Sequence, residues 1–179
     1  MTIIQEGNLE FTFGASWTVL KYDETGSFYK SLMESKVKPT KAMDFLCLRD
    51  STPLVMLEVK DFCRGVPKNE KFKNVPMTVA IKARDTLAGV IGGCHNASNT
   101  RECDFFKASH TRMIIPPQVV FFFEDLATPK RRPPERILLK KNVLLKELKE
   151  HLRWLTRNVA VVGLDDYSGL IPDLTVKRT

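Results

Sequence analysis

Two nearly continuous apolar runs, joined by a short turn, limit this chain's fold more than anything else in its sequence. Met43-Asp44-Phe45-Leu46-Cys47-Leu48 and Leu54-Val55-Met56-Leu57-Glu58-Val59 flank Arg49-Asp50-Ser51-Thr52-Pro53, and those five residues carry turn chemistry. Strands this apolar have no face to offer water. They predict an antiparallel hairpin buried on both faces, in the middle of a sheet with further layers above and below.

The other segments fall into place around that hairpin. Phe11 to Leu20 has strand composition broken by Gly14, which fits one or two short strands. Asp23 to Ser27 offers a cap, and the Phe28/Leu32 and Tyr29/Met33 pairs predict a short helix ending near Lys36. Residues 63–74 read as a polar loop. Asn74 to Val90 predicts a helix with Pro76 in its first turn and Gly92-Gly93 as its end. Residues 94–116 read as irregular, and Gln118 to Phe123 as a buried strand. Thr128 to Pro134 reads as a basic, proline-rich connector and Arg136 to Arg157 as the longest helix. Val159 to Leu164 reads as a last strand, with a loose tail at 173–179. Strands alternating with helices around an antiparallel hairpin make an α/β domain with a mixed sheet. One domain, 1–179, with its core over about 9–165, suits 179 residues.

Composition narrows the class. Hydrophobic residues at 43% and charged residues at 27% exclude a disordered chain. No apolar run reaches the ~20 residues of a membrane span, so no membrane partner is expected. Residues 1–7 show neither a basic nor an apolar leader region. The four cysteines have no C-x-x-C spacing and read as reduced thiols of a cytoplasmic protein. Cys94, His95, Cys103 and His110 do not match zinc-finger spacing. Trp17 and Trp154 read as core residues. The net charge of +7 is localised: residues 128–157 carry ten Lys/Arg against three Glu and account for +7 by themselves, and the rest of the chain nets zero. A basic block on a near-neutral domain points to a polyanion, with nucleic acid first. The blander reading is a solvated basic helix. Its leucines fit packing on the sheet, with a homodimer or a protein partner as the other use.

Within the apolar hairpin stand Asp44, Glu58 and Lys60. Glu58 and Lys60 are two apart on a strand and share a face. An odd hairpin loop sets Asp44 opposite Glu58 on that face. Two carboxylates and an ammonium are costly on central strands unless paired or metal-bound. Mg²⁺ prefers one or two carboxylates together with waters and phosphate oxygens. The alternative is a buried carboxylate–lysine bridge that only fixes the hairpin.

Met43-Asp44 followed by Glu58-Val59-Lys60 resembles the motif of the PD-(D/E)XK nuclease superfamily, with Met43 in place of the proline. The resemblance implies a restriction-endonuclease-like three-layer fold, a mixed β-sheet flanked by helices. It implies Mg²⁺, with Mn²⁺ as a substitute, and hydrolysis of nucleic-acid phosphodiesters, DNA ahead of RNA. Asp44, Glu58 and Lys60 are then the catalytic set. Asp44, Glu58 and the Val59 carbonyl hold metal, and Lys60 assists the attacking water. Glu24 is the first candidate for a further acidic ligand, ahead of Asp23 and Glu34. Lys82 on the following helix becomes a phosphate contact. Lys130, Arg131, Arg132, Lys140 and Lys141 join it as nucleic-acid-binding residues, with Lys68, Lys71 and Lys73 as another path. The rival readings are a non-catalytic nucleic-acid- or partner-binding module on the same scaffold, and an enzyme acting on a small phosphate ester.

Overall fold

The computed structural model describes residues 1–50, 52–62, 74–124 and 134–179, the backbone alone for 134–139. The expected loop at 63–73 and the connector with Lys130, Arg131 and Arg132 lie outside the described residues, as do Lys68, Lys71 and Lys73. No helix among the described residues is long and apolar enough to cross a membrane.

The chain forms an α/β structure with two sheets. β3 (Trp17–Lys21), β4 (Phe45–Arg49), β5 (Val55–Asp61), β6 (Gln118–Glu124) and β7 (Val159–Val162) make a five-stranded mixed sheet in that order. β3, β4 and β5 run antiparallel in turn, while β5, β6 and β7 are parallel. β1 (Thr2–Glu6), β2 (Leu9–Phe13) and β8 (Leu174–Arg178) form a small antiparallel sheet in the order β1-β2-β8. A two-residue Gly7-Asn8 loop joins β1 to β2, with Gly7 at φ 60°, a conformation that favours glycine.

The hairpin is as buried as its composition predicts, with four of five β4 residues and the first five of β5 inaccessible. On one face Leu46, Leu48, Met56 and Phe121 pack with Val79, Ala83 and Val90 of α1 (Val75–Asn96) and Leu144, Leu148 and Leu152 of α3 (Pro134–Leu152). On the other face Phe45, Cys47, Leu57 and Phe122 pack against Leu9, Phe11, Phe13 and Val176 of the small sheet. The layers are therefore helices, large sheet and small sheet, whereas helices were expected on both flanks. Successive parallel crossovers β5→β6→β7 advance in one direction, and crossovers of one hand then place their helices on one face. The other face is left to the small sheet.

Several local expectations change. The tail pairs along β2, from Leu9↔Arg178 to Phe13↔Leu174, because Leu174 and Val176 alternate inward. Residues 94–116 contain α2 (Thr100–Thr111), capped by the Asn99 side chain accepting from the Glu102 N–H. Its buried residues are Glu102, Phe105, Phe106 and Ser109, so no strong apolar period announces it. α1 continues through Gly92-Gly93 to Asn96 and is longer than α3. A Cβ on Gly93 would stand 2.3 Å from the Phe106 ring, so this glycine admits α2 to α1 and does not end the helix. Trp17 is buried, as expected, and donates to the Pro172 carbonyl at 2.7 Å, but Trp154 is 57% exposed.

Two alanine substitutions separate helix propensity from packing. Gly92→Ala, whose Cβ meets only Phe28 at 3.8 Å, should stabilise the fold by up to ~1 kcal/mol. Gly93→Ala should lose ~1–3 kcal/mol through overpacking. Urea midpoints shifted in the same direction for both would contradict the close α1–α2 approach.

Candidate active site

The β4–β5 register is Phe45↔Leu57, Leu46↔Met56 and Cys47↔Val55. Continued by one step it sets Asp44 opposite Glu58, as the hairpin argument requires. Beside Asp44, the Tyr22 N–H donates to the Asp44 carbonyl at 2.9 Å, so β3 fixes its backbone. The Met43 N–H donates to Thr86 Oγ1 at 2.9 Å, and the Lys41 N–H to Asp85 Oδ2 at 3.0 Å, which ties the entry to β4 onto α1. The same stretch of α1 carries Lys82.

The carboxylates are deeply placed, with Asp44 5% exposed and Glu58 fully buried. Asp44 Oδ2 accepts from the Val59 N–H at 2.7 Å. Lys82 Nζ stands 3.3 Å from Asp44 Oδ1 and 2.7 Å from the Glu58 carboxylate, donating to Oε2. The two carboxylates therefore lie no farther apart than the sum of those distances. Glu58 Oε1 accepts no directed hydrogen bond and has only ion-pair contacts, with Lys82 and with Lys60 Nζ at 3.8 Å. Lys60 is the more accessible ammonium, at 27% against 15% for Lys82.

These contacts reorder the expected roles. Lys82, expected to meet phosphate, instead clamps both carboxylates, and Lys60 stands on the solvent side of Glu58. Val59 enters the site through its N–H. Glu24 is exposed and has no described contact with the pair, and Glu34 is bonded to Lys30 at 2.9 Å. Asp23 is the acidic residue whose charge is felt at the site. Burial, then repulsion from Asp44 and Glu6, pushes its carboxyl up to about 6 against the pull of Lys82 and Lys21. Its relevance comes from β3, which pairs with β4 and ends two residues before it.

The surrounding charge is unevenly balanced. Burial, then repulsion from Asp44, pushes Glu58 up to about 8, against the attraction of Lys82 and Lys60. For Lys82, burial opposes the charge, but attraction to Glu58 and Asp44 and its hydrogen bonds to both outweigh it and raise its pKa. An oxygen without a directed partner on a fully buried carboxylate, opposite a second carboxylate, is a donor set that suits a hard cation. Asp44 and Glu58 could hold one with waters completing its shell. Among the described residues no group of three or more His, Cys, Asp or Glu could hold a metal.

Of the basic residues expected on nucleic acid, Lys141 is buried and bonded to both oxygens of Asp166 at 3.0 Å. It holds α3 to the turn after β7 and is not available to phosphate. Lys140 is half-buried. Lys146, Lys149, Arg153 and Arg157 are exposed on the outer side of α3 and in the turn beyond it.

The Glu58 shift makes stability depend on pH. The folded state keeps this proton up to about 8, while an ordinary glutamate releases it near 4.5. Between those values the unfolded chain binds fewer protons, so the Glu58 contribution falls as pH rises and levels off above about 8. Glu58→Gln removes that decline and leaves every other group in place. Its melting temperature relative to wild type should climb by at least ~5 °C between pH 5 and pH 8 without divalent metal. Parallel melting curves across that range would contradict an uncompensated Glu58.

No family model matches the chain, and no solved structure matches it. It is similar to the cysteine–tRNA ligase of Neisseria meningitidis serogroup A, with 31% identity over a 133-residue alignment that takes in 59% of this chain and 19% of the ligase. The chain thus spans about a fifth of the length of that curated relative.

Proposed function

We propose that the chain is a Mg²⁺-dependent nuclease of the PD-(D/E)XK type, built on a restriction-endonuclease-like sheet with one flank covered by a second sheet. The observation that carries this reading is the pair of opposed, buried carboxylates, Asp44 and Glu58, left short of hydrogen-bond donors in a hairpin that is otherwise apolar. A purely structural ion bridge is a poor stabilising device in such a place. The order of acid, acid and lysine along β4 and β5 supports the same reading.

In this mechanism Asp44 and Glu58 would hold the ion, with Mn²⁺ able to replace Mg²⁺. The bound ion would polarise a phosphoryl oxygen and make a water a stronger nucleophile. The Val59 N–H fixes one Asp44 oxygen and leaves the other to Lys82. Lys82 neutralises part of the charge of the two carboxylates, and would be released towards phosphate where a cation took over that role. Lys60, on the solvent side, is placed to donate to a phosphate oxygen or to orient the attacking water. Asp23 adds negative potential at the β3 end of the site.

Likeness to a tRNA ligase supports nucleic acid as the partner class and sets RNA beside DNA as substrate. It also favours one rival, a nucleic-acid-binding module without catalysis. A panel of supercoiled, linear, single-stranded and branched DNA, together with transfer RNA, each with Mg²⁺ or Mn²⁺, separates the two. The nuclease reading expects metal-dependent cleavage of at least one substrate. Lys60→Ala should lower that cleavage ~10²–10³-fold while keeping Mn²⁺ binding. Asp44→Ala should lose both. Binding without cleavage by the wild type under every condition would favour the module.

A further inference from the structure

The parallel strands β5, β6 and β7 start side by side at the end of the large sheet opposite the carboxylates. Pro53 leads into β5, Pro116 into β6 and Asn158 into β7. A cleft of about 490 Å³ opens there, walled by Pro53, Ile115, Pro116 and Leu155, with Arg153 and Arg157 also lining it. From Pro53 to Glu58 the chain advances on the order of 17 Å by strand rise. The cleft is therefore separate from the carboxylate pair.

The apolar side chains around this cleft stand in water. Ile115 is 48% exposed, Ile114 beside it 92%, and Trp154, between two lining residues in the chain, 57%. Scattered singly, such residues mean little; grouped about one cleft, they mark a contact surface. The two prolines fix their own backbone, so these walls are formed before anything binds.

The charge at the cleft is positive. Arg153 pairs with Glu150 at 3.3 Å, but both side chains are exposed and the pair is worth little. Asp50, in the turn before Pro53, is drawn to Arg112 at 3.6 Å. The Arg157 side chain has no hydrogen bond or ion pair among the described residues. Lys149 and Lys146, one and two turns back along α3 from Arg153, are exposed and add to the same potential. Arginine and tryptophan beside an apolar cleft are the composition of a binding hot spot. Bases stack on aromatic faces, and no aromatic residue lines this cleft. Aliphatic and proline walls suit protein side chains instead, and the volume takes one or two of them. A second copy of this chain, docked by the same patch, would set guanidinium against guanidinium.

We propose that this cleft docks a protein partner through an acidic segment carrying a bulky apolar anchor. The anchor enters between Pro53, Ile115, Pro116 and Leu155, and the flanking carboxylates meet Arg153 and Arg157. A partner held here leaves Asp44 and Glu58 open, so the surface serves recruitment, and it stands on its own geometry whether or not the carboxylate site cuts.

Selection of random dodecapeptides displayed on phage against the whole chain tests it, with the most enriched peptide then synthesised and titrated by calorimetry. Enriched sequences should combine Asp or Glu with Leu, Ile or Phe, and the peptide should bind one per chain with a Kd of ~1–100 µM. Arg157→Gln and Ile115→Ser should each weaken it about tenfold, with unchanged melting temperatures. Exchanging the peptide's acids for amides should weaken it as much. Ile91→Ser, at an exposed apolar residue of α1, should leave it unchanged, and so should Asp44→Ala, which separates failure of the cleft from failure of the nuclease reading. No enrichment, enrichment of basic peptides, or binding indifferent to both Arg157→Gln and Ile115→Ser would overturn the proposal. So would tighter binding of dodecathymidylate that Arg157→Gln abolishes, which assigns the surface to nucleic acid. A dimer in sedimentation that Ile115→Ser dissolves would overturn it in favour of a second copy.

Discussion

The register of β4 against β5 decides where every charge in the centre of this protein falls. A slip of one residue would turn Glu58 and Lys60 towards the small sheet and Leu57 towards α1. In the observed register the apolar residues of both strands fill two cores, and Asp44 and Glu58 meet at one end. Lys82 from α1 then falls between them. The helix layer, the entry to β4 and the electrostatics of the site all follow from that alignment.

Burial makes the arrangement costly and informative. Glu58 is fully enclosed on a strand that could have carried leucine there, and its raised pKa expresses the cost of its charge. Lys82 offsets part of that cost and the Val59 N–H meets one Asp44 oxygen, but Glu58 Oε1 keeps no directed hydrogen bond. The remaining deficit is the physical ground for a cation, and a cation beside Lys60 is the ground for phosphate chemistry. The second cluster at this end of the sheet differs. Glu124 accepts from the Leu164 N–H at 2.6 Å and from Arg178 at 2.7 Å, and Lys141 is closed onto Asp166. Those charges are satisfied by partners within the chain and hold β8 and α3 to the large sheet.

The hairpin, its double burial and the Asp44–Glu58 opposition were legible because apolar runs and a period of two leave few arrangements. Elements that depend on remote partners were not. β8 carries two inward residues whose meaning appears only beside β2. α2 packs through Phe105, Phe106 and a buried Glu102 that accepts from the Phe28 N–H at 3.0 Å, a contact 74 residues apart. Gly92-Gly93 looked like a helix end because sequence alone does not reveal Phe106 behind Gly93. The contact of Lys82 with both carboxylates was not legible for a similar reason, since it is set by what lies under α1. Asp23 gains its relevance from β3 pairing, which brings Tyr22 onto Asp44.

The central claim is that Asp44 and Glu58 form a cation site, and Mn²⁺ titration followed by calorimetry addresses it without requiring a substrate. The account predicts saturable binding at one principal site per chain, tightening as pH rises towards about 8 because Glu58 must give up its proton. That site should be lost in Asp44→Ala and in Glu58→Gln. Binding that is absent, independent of pH or retained in both variants would contradict it.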